Sequence, residues 1–283
     1  MDIGKVGVIG CGLMGSGITQ VCAQAGYDTV VSEINEEILK KGLGSIDRVL
    51  ERNVQKEKIT RQDKDSVMGR ITGTTDVRDM SGCDIIIEAA TENLDLKKKI
   101  FASIDGICRK HTILATNTSC LSITDMAKVT GRPDKVLGLH FFNPVPVMKL
   151  LEIVRTAATS EDTYNTGREF GQSLGKTIVT IKDAPGFIVN RLMAPQILNA
   201  IRLLEDGIAS REDIDTAMKL GLNNPMGPLE LADFIGLDTL LFIANGIYDK
   251  LPEEQFCAPA LLKKMVADGL FGRKTGKGFY DYT

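Results

Sequence analysis

Lys5-Val-Gly-Val-Ile-Gly10-Cys-Gly12-Leu-Met-Gly15-Ser-Gly17 decides how this chain folds. Residues 6–9 are an apolar run that stops abruptly at glycines, and residues 16–24 suit a helix. Gly10-x-Gly12-x-x-Gly15 therefore stands between a strand and a helix, the context a dinucleotide site requires. Gly10 permits the tight turn, Gly12 lets the backbone approach a pyrophosphate, and Gly15 lets the helix pack against the strand. The helix N-terminus offers unpaired N–H groups and the positive end of its dipole. Gly10, Cys11, Gly12, Leu13, Met14 and Gly15 are thus the expected phosphate cradle.

Glycines recur in any turn, so the pattern alone carries little. Here a second strand, residues 29–32, follows the helix and ends at Glu33. A carboxylate at that point accepts hydrogen bonds from both ribose hydroxyls of NAD and repels the 2′-phosphate of NADP. The plain alternative for Glu33 is a solvated acid after a strand. With strand, turn, helix and acid in sequence, NAD is the expected cofactor.

Residues 36–69 read as a pair of helices, with Thr60 as a candidate N-cap of the second. This hairpin is an insertion in an ordinary Rossmann unit. It either projects to meet substrate or forms a solvated pair. Strands are expected at residues 71–75, 83–90, 112–117, 136–141, 150–154 and 176–181, alternating with helices. The fold class is α/β: a Rossmann-type, doubly wound, mostly parallel sheet with a helical-hairpin insertion. At Asp183-Ala-Pro-Gly186 the pattern changes to helices only, with Asp183 as a candidate cap for a long helix from residue 187. The expected domains are a NAD-binding domain, 1–184, with the hairpin at about 36–69, and an all-α substrate and dimerisation domain, 185–283. The apolar surplus of that second domain predicts burial against another copy, a homodimer.

The 283 residues have ordinary globular proportions: 43% hydrophobic and 25% charged. A net charge of −3 argues against nucleic acid or an anionic membrane as the main partner. Six cysteines are scattered (11, 22, 83, 108, 120 and 257) without a C-x-x-C pair or a His cluster. They predict reduced thiols and no metal site. No leader segment precedes the first strand and no apolar run reaches membrane-spanning length, so the expectation is a cytoplasmic protein.

Interconverting an alcohol and a ketone with a nicotinamide needs a proton acceptor near neutrality, and histidine has the pKa for it. The chain has two histidines. His111 sits at a helix-to-strand turn and reads as surface. His140 ends a sheet strand in Gly138-Leu-His-Phe-Phe-Asn-Pro144, where the crevice of such a sheet lies. Glu152 interrupts the apolar strand Leu150-Leu-Glu-Ile-Val154, which is costly unless it is paired, so it is the candidate orienting carboxylate. The alternative is an outward strand position. Asn117 and Ser119 end the neighbouring strand, and Asn190 lies on the first turn of the long helix. Each of these polar residues alone would be a cap or turn residue. Lys97 follows the crevice loop and is the exception in a triplet, Lys97-Lys-Lys99, that otherwise reads as a solvated face.

Asn117-Thr-Ser119, Gly138-Leu-His-Phe-Phe-Asn-Pro-Val-Pro-Val-Met-Lys149, Glu152, Asp183-Ala-Pro-Gly-Phe-Ile-Val-Asn-Arg191, Pro225-Met-Gly-Pro-Leu-Glu230 and Gly272-Arg-Lys-Thr-Gly-Lys-Gly-Phe-Tyr280 resemble the 3-hydroxyacyl-CoA dehydrogenase family over nearly the whole chain. A chain of this length without a hydratase domain is most similar to its bacterial 3-hydroxybutyryl-CoA members. The resemblance implies that His140 is the general base, that Glu152 orients it, and that Ser119 and Asn190 hold the substrate 3-oxygen. It implies that Glu33, Glu92, Lys97, Ser119, Asn143 and Lys274 lie near NAD, and that Lys56 meets the CoA portion. Cys120 departs from relatives with a second serine there, which touches position 120 and leaves Ser119 intact. The implied partner is a short acyl-CoA, acetoacetyl-CoA or 3-hydroxybutyryl-CoA. Two other readings stay open: a dehydrogenase of a free 3-hydroxy or sugar acid, and a non-catalytic NAD(H)-binding protein.

Overall fold

The structure, a computed structural model, describes residues 2–283. It divides into two compact units, the first ending at Asp183 and the second spanning Ala184–Thr283.

The first unit is built on one eight-stranded sheet. Its strands are β1 (Lys5–Ile9), β2 (Asp28–Ser32), β3 (Ile71–Thr74), β4 (Ile85–Glu88), β5 (Ile113–Thr116), β6 (Val136–Phe141), β7 (Leu150–Arg155) and β8 (Thr177–Lys182). They lie in the order β3-β2-β1-β4-β5-β6-β7-β8. All neighbours are parallel except β6 and β7, which run antiparallel. Strand β4 (Ile-Ile-Ile-Glu) is buried along its whole length, as expected for a sheet covered on both faces. Register aligns Ile9 with Glu88 and Glu88 with Thr116, so the tips of β1, β4 and β5 end level. Their loops form one carboxyl edge, the ligand-binding edge of doubly wound sheets.

Helix α1 (Leu13–Gln24) follows β1. The hairpin consists of α2 (Glu36–Gln55) and α3 (Arg61–Gly69). Thr60 closes a capping box with Asp63 at the start of α3. The hairpin is not a purely solvated pair: Ile46 and Leu50 of α2 and Val67 of α3 pack with Ala23 of α1. Helices α4 (Leu94–Ile107), α5 (Ile123–Ala127) and α6 (Glu161–Ser173) complete the unit.

The second unit contains α7 (Val189–Glu205), α8 (Arg211–Gly221), α9 (Pro228–Ile235), α10 (Leu237–Tyr248) and α11 (Ala260–Ala267). Asp183 does not cap α7, contrary to expectation. The helix starts at Val189, beyond a turn at 185–188, and its N-cap Ile188 makes no side-chain cap. The Asp183 carboxylate instead accepts the N–H (2.8 Å) and hydroxyl (2.6 Å) of Thr124 in α5. Gly236, at φ 100°, lets α9 and α10 meet at 97°. Among the described residues no single helix is long and apolar enough to cross a membrane.

Two buried aspartates sew the C-terminal segment onto this helical unit. Asp233 accepts the N–H of Phe279 (2.9 Å), the N–H of Tyr280 (2.8 Å) and the hydroxyl of Tyr282 (3.2 Å). Asp215 accepts the N–H groups of Leu229 (2.8 Å) and Glu230 (2.9 Å) and the hydroxyl of Tyr280 (2.8 Å). A Cβ on Gly278 would overlap the Asp233 carboxylate, so glycine is required there. Asp233→Ala strands the buried Phe279 N–H, and each buried donor left unpaired costs about 1–3 kcal/mol. The expected result is a lower Tm and a C-terminus that carboxypeptidase digests faster than in the wild-type protein.

Candidate active site

The glycine turn is shaped by what its glycines lack. Gly10 has φ 94°, a left-handed conformation that side chains disfavour. A Cβ on Gly15 would fall well inside van der Waals contact with the Gly10 carbonyl, so α1 reaches the turn only without one. A Cβ on Gly12 would meet nothing within 4 Å, so the space in front of it is open. Leu13 is exposed beside that space, while Met14 packs partly into the core. Cys11 is buried. Burial, and then the Glu33 carboxylate, push its thiol up to about 11, so at neutral pH it stays protonated.

Glu33 faces the same turn. Its carboxylate accepts the N–H of Cys11 and the N–H of Ile34, both at 2.8 Å. Each oxygen is thereby oriented and keeps a lone pair for a ribose hydroxyl. A cavity of about 830 Å³ opens here, lined by Gly10, Gly12, Glu33, exposed Ile34, and residues 75–78 and 89–91. Open space over Gly12, an N-terminal helix turn and an oriented acid fit the pyrophosphate and ribose of NAD.

At the tips of β4 and β5 the polar groups form a network. Glu92 accepts the Ser119 N–H (2.6 Å), the Ser119 hydroxyl (3.0 Å) and the Thr118 hydroxyl (2.8 Å). Lys97 lies beneath the crevice loop rather than in its wall. Its side chain is fully buried, and Nζ donates to both oxygens of Glu88 (2.7 and 2.9 Å) and to Ala90 O (3.1 Å). Sequence reasoning read Lys97 as a cofactor neighbour and passed over Glu88. The signal was present: Glu88 ends an isoleucine run, as Glu152 interrupts a leucine-rich one. Asn117 spends its side-chain oxygen on the Phe141 N–H (2.9 Å), tying β5 to β6 rather than standing apart as a turn residue.

His140 and Glu152 face each other by register on the antiparallel pair β6–β7. His140 Nδ1 lies 2.7 Å from a Glu152 carboxylate oxygen, and both side chains are buried. A carboxylate at Nδ1 fixes the ring and favours the tautomer whose Nε2 accepts a proton. Phe142 lies against the imidazole, with ring centroids 4.6 Å apart. His111, by contrast, is half exposed, 3.8 Å from Asp84.

Asn143 is exposed in the β6–β7 connection. That connection is held from below by Lys176, a buried lysine that sequence reasoning missed. Its Nζ donates to the carbonyls of Val145 (2.5 Å) and Met148 (2.8 Å), and burial lowers its pKa. Lys56, the C-cap of α2, is exposed. In the second unit, Asn190 is buried in the first turn of α7, and Lys274 donates to Asp238 (2.8 Å) and Thr239 (2.6 Å).

Comparison with known proteins reaches both units. The family profile described as 3-hydroxyacyl-CoA dehydrogenase, NAD binding domain, matches residues 5–184, and that of the C-terminal domain matches residues 186–282. A 3-hydroxybutyryl-CoA dehydrogenase of Clostridioides difficile is 46% identical over 278 residues, 98% of this chain and 99% of the relative. The human mitochondrial hydroxyacyl-coenzyme A dehydrogenase is 47% identical over 285 residues, 98% of this chain and 90% of the relative. The crystal structure of (S)-3-hydroxybutyryl-CoA dehydrogenase PaaH1 from Ralstonia eutropha superposes with a TM-score of 0.95 at 46% identity, covering 100% of both chains.

The two glycines of the turn separate folding from binding. Gly15→Ala inserts a methyl into a backbone contact and is expected to cost about 3 kcal/mol or more in stability. Gly12→Ala points its methyl into open space and should leave Tm nearly unchanged. It should nevertheless weaken NADH binding by about tenfold or more, since the methyl occupies the path of the phosphates. Thermal melts and a fluorescence titration with NADH check both.

Proposed function

The chain belongs to the 3-hydroxyacyl-CoA dehydrogenase family and uses NAD, and from that premise we propose that it interconverts 3-hydroxybutyryl-CoA and acetoacetyl-CoA with a His140–Glu152 acid–base pair. The observation that carries the pair is the 2.7 Å contact between Nδ1 and the carboxylate on adjacent strands of the sheet that holds the glycine turn.

NAD, when bound, supplies the acceptor for the C3 hydride. In the oxidative direction His140 Nε2 takes the proton of the 3-hydroxyl. Positive charge then develops on a ring already beside the Glu152 carboxylate, so it is compensated where it forms. In reduction the same nitrogen returns the proton. Ser119 hydrogen-bonds the 3-oxygen, and Asn190 is proposed to hold that oxygen as well. Gly10 to Gly15, Glu33, Glu92, Asn143 and Lys274 serve the cofactor, and Lys56 the CoA portion. Lys97 acts on the cofactor side indirectly, through the loop it supports. The helical unit is proposed to form a homodimer; Ile208, Leu220 and Leu222 are among its exposed apolar side chains. The acyl-CoA substrate is favoured over a free acid by the near full-length likeness to enzymes named for acyl-CoA substrates.

General base catalysis contributes about 10²–10⁴-fold. His140→Gln should therefore lose that much of kcat with acetoacetyl-CoA and NADH while still binding NADH. Near-normal turnover would sink the assignment. Glu152→Gln should follow in the same direction with a changed pH–rate profile; a wild-type profile would remove the carboxylate from the mechanism. Turnover on a free 3-hydroxy acid exceeding that on the CoA ester would refute the substrate.

Cofactor choice rests on Glu33. Replacing NADH with NADPH is expected to raise KM by about tenfold or more, because the 2′-phosphate meets an oriented carboxylate. Equal KM values in the steady-state assay would refute the ribose argument.

A further inference from the structure

Glu88, like Glu152, is a fully buried acid of the first unit, and none of the roles above uses it. Its carboxylate accepts four hydrogen bonds from three donors. Lys97 Nζ reaches both oxygens, the Ala90 N–H reaches Oε1 at 2.7 Å, and the Thr116 hydroxyl reaches Oε2 at 2.6 Å. From Thr116 the contacts continue. The Thr116 oxygen accepts the Thr118 N–H at 3.2 Å, and the Thr118 hydroxyl donates to Glu92 at 2.8 Å. Glu92 lies 3.5 Å from Lys97 Nζ, which returns to Glu88. The contacts therefore close into a ring: Glu88, Thr116, Thr118, Glu92, Lys97. Ser119 hangs from this ring through its N–H and hydroxyl, both donated to Glu92.

A buried carboxylate is retained only when its donors offset its desolvation. Here those donors come from the tip of β5 (Thr116), the crevice loop (Ala90) and helix α4 (Lys97), each next to a proposed ligand-contacting element. We infer that Glu88 is a positioning residue: with Thr116 it fixes the tip of β5 and so sets where the Ser119 hydroxyl stands. The inference rests on Ser119 being the hydroxyl that meets the substrate oxygen, as proposed above. If Glu88 loses its charge, Lys97 turns to its remaining carboxylate, Glu92, and draws it from Thr118 and Ser119. If Thr116 loses its hydroxyl, the Thr118 N–H loses its acceptor and the tip is released from the ring. The glycine turn and Glu33 lie outside the ring, whereas Glu92, assigned above to the cofactor, lies within it, so the chemical step should suffer more than NADH affinity.

The test uses Thr116→Val and Thr116→Ser, because valine keeps the buried volume and serine keeps the hydroxyl. Misplacing a reacting group by about 1 Å costs on the order of 10²-fold, and a released tip should cost part of that. T116V should lower kcat with acetoacetyl-CoA by roughly tenfold and raise its NADH Kd by less, about threefold at most; T116S should recover kcat to within about threefold. E88Q should move kcat in the same direction and further, and if it does not fold the Thr116 pair still decides. A merely structural role would lower Tm and leave kcat at 25 °C unchanged. That outcome, or a T116S as impaired as T116V, overturns the inference. A crystal structure of T116V reads the ring without any substrate: Ser119 displaced from Glu92 supports it, and an unmoved Ser119 overturns it. A wild-type enzyme inactive on acetoacetyl-CoA would instead refute the proposed function and leave the structural outcome readable.

Discussion

The approach of α1 to the glycine turn is the constraint on which the first unit depends. Because Gly15 lacks a Cβ, the helix start presses against the Gly10 carbonyl. That contact points the first turn of α1 at the carboxyl edge of the sheet. The same edge carries the tips of β4 and β5, aligned by register with β1. The next strand over, β6, brings His140. Parallel pairing is thus more than a route to burial. It delivers separate loops to one line, so groups far apart in sequence share a crevice without any loop being long.

Buried acids do the remaining organising, and each comes with its donors. Glu152 has the imidazole, Glu88 has Lys97 and Thr116, Asp215 and Asp233 have backbone N–H groups and tyrosine hydroxyls. Removing such an acid strands the donors around it, and replacing it with its amide leaves one side wrongly polar. The first two serve the crevice and the last two hold the C-terminal segment in place. The same physical device therefore lines the proposed active site in one unit and closes the chain end in the other.

Much of this was legible in the sequence because the relevant patterns are local. The glycine spacing, the apolar strands and the capping Thr60 announce themselves within a few residues. His140 stood out by scarcity and by its place at a strand end, Glu152 by interrupting an apolar run. Glu88 interrupts one in the same way, inside the strand expected at 83–90, and was passed over although the same argument applied. Lys97 stood out from its charged triplet by its place after the crevice loop, but its burial against Glu88 did not, since helical spacing alone does not say how far a lysine turns inward. Lys176 and the role of Asp183 depend on partners 31 and 59 residues away, and no local pattern encodes a partner at that range. Asp183 misled for the same reason: beside Pro185 it looked like a cap, while its acceptor capacity was taken by Thr124.

The reversal between β6 and β7 has a bearing on how this catalyst can be rearranged. Both members of the histidine–carboxylate pair lie on one hairpin, residues 136–155, and strand register alone brings them face to face. The pair is therefore portable: a recombinant that takes the hairpin whole carries its alignment with it. An exchange point inside residues 142–149 would join two halves whose register must be found again, and a slip of one residue turns one partner to the opposite face of the sheet. The hairpin is thus the natural unit of exchange for the proposed acid–base pair. The glycine turn, bound to β4 by the close approach of Gly10 and Ala89, moves only with the rest of the sheet.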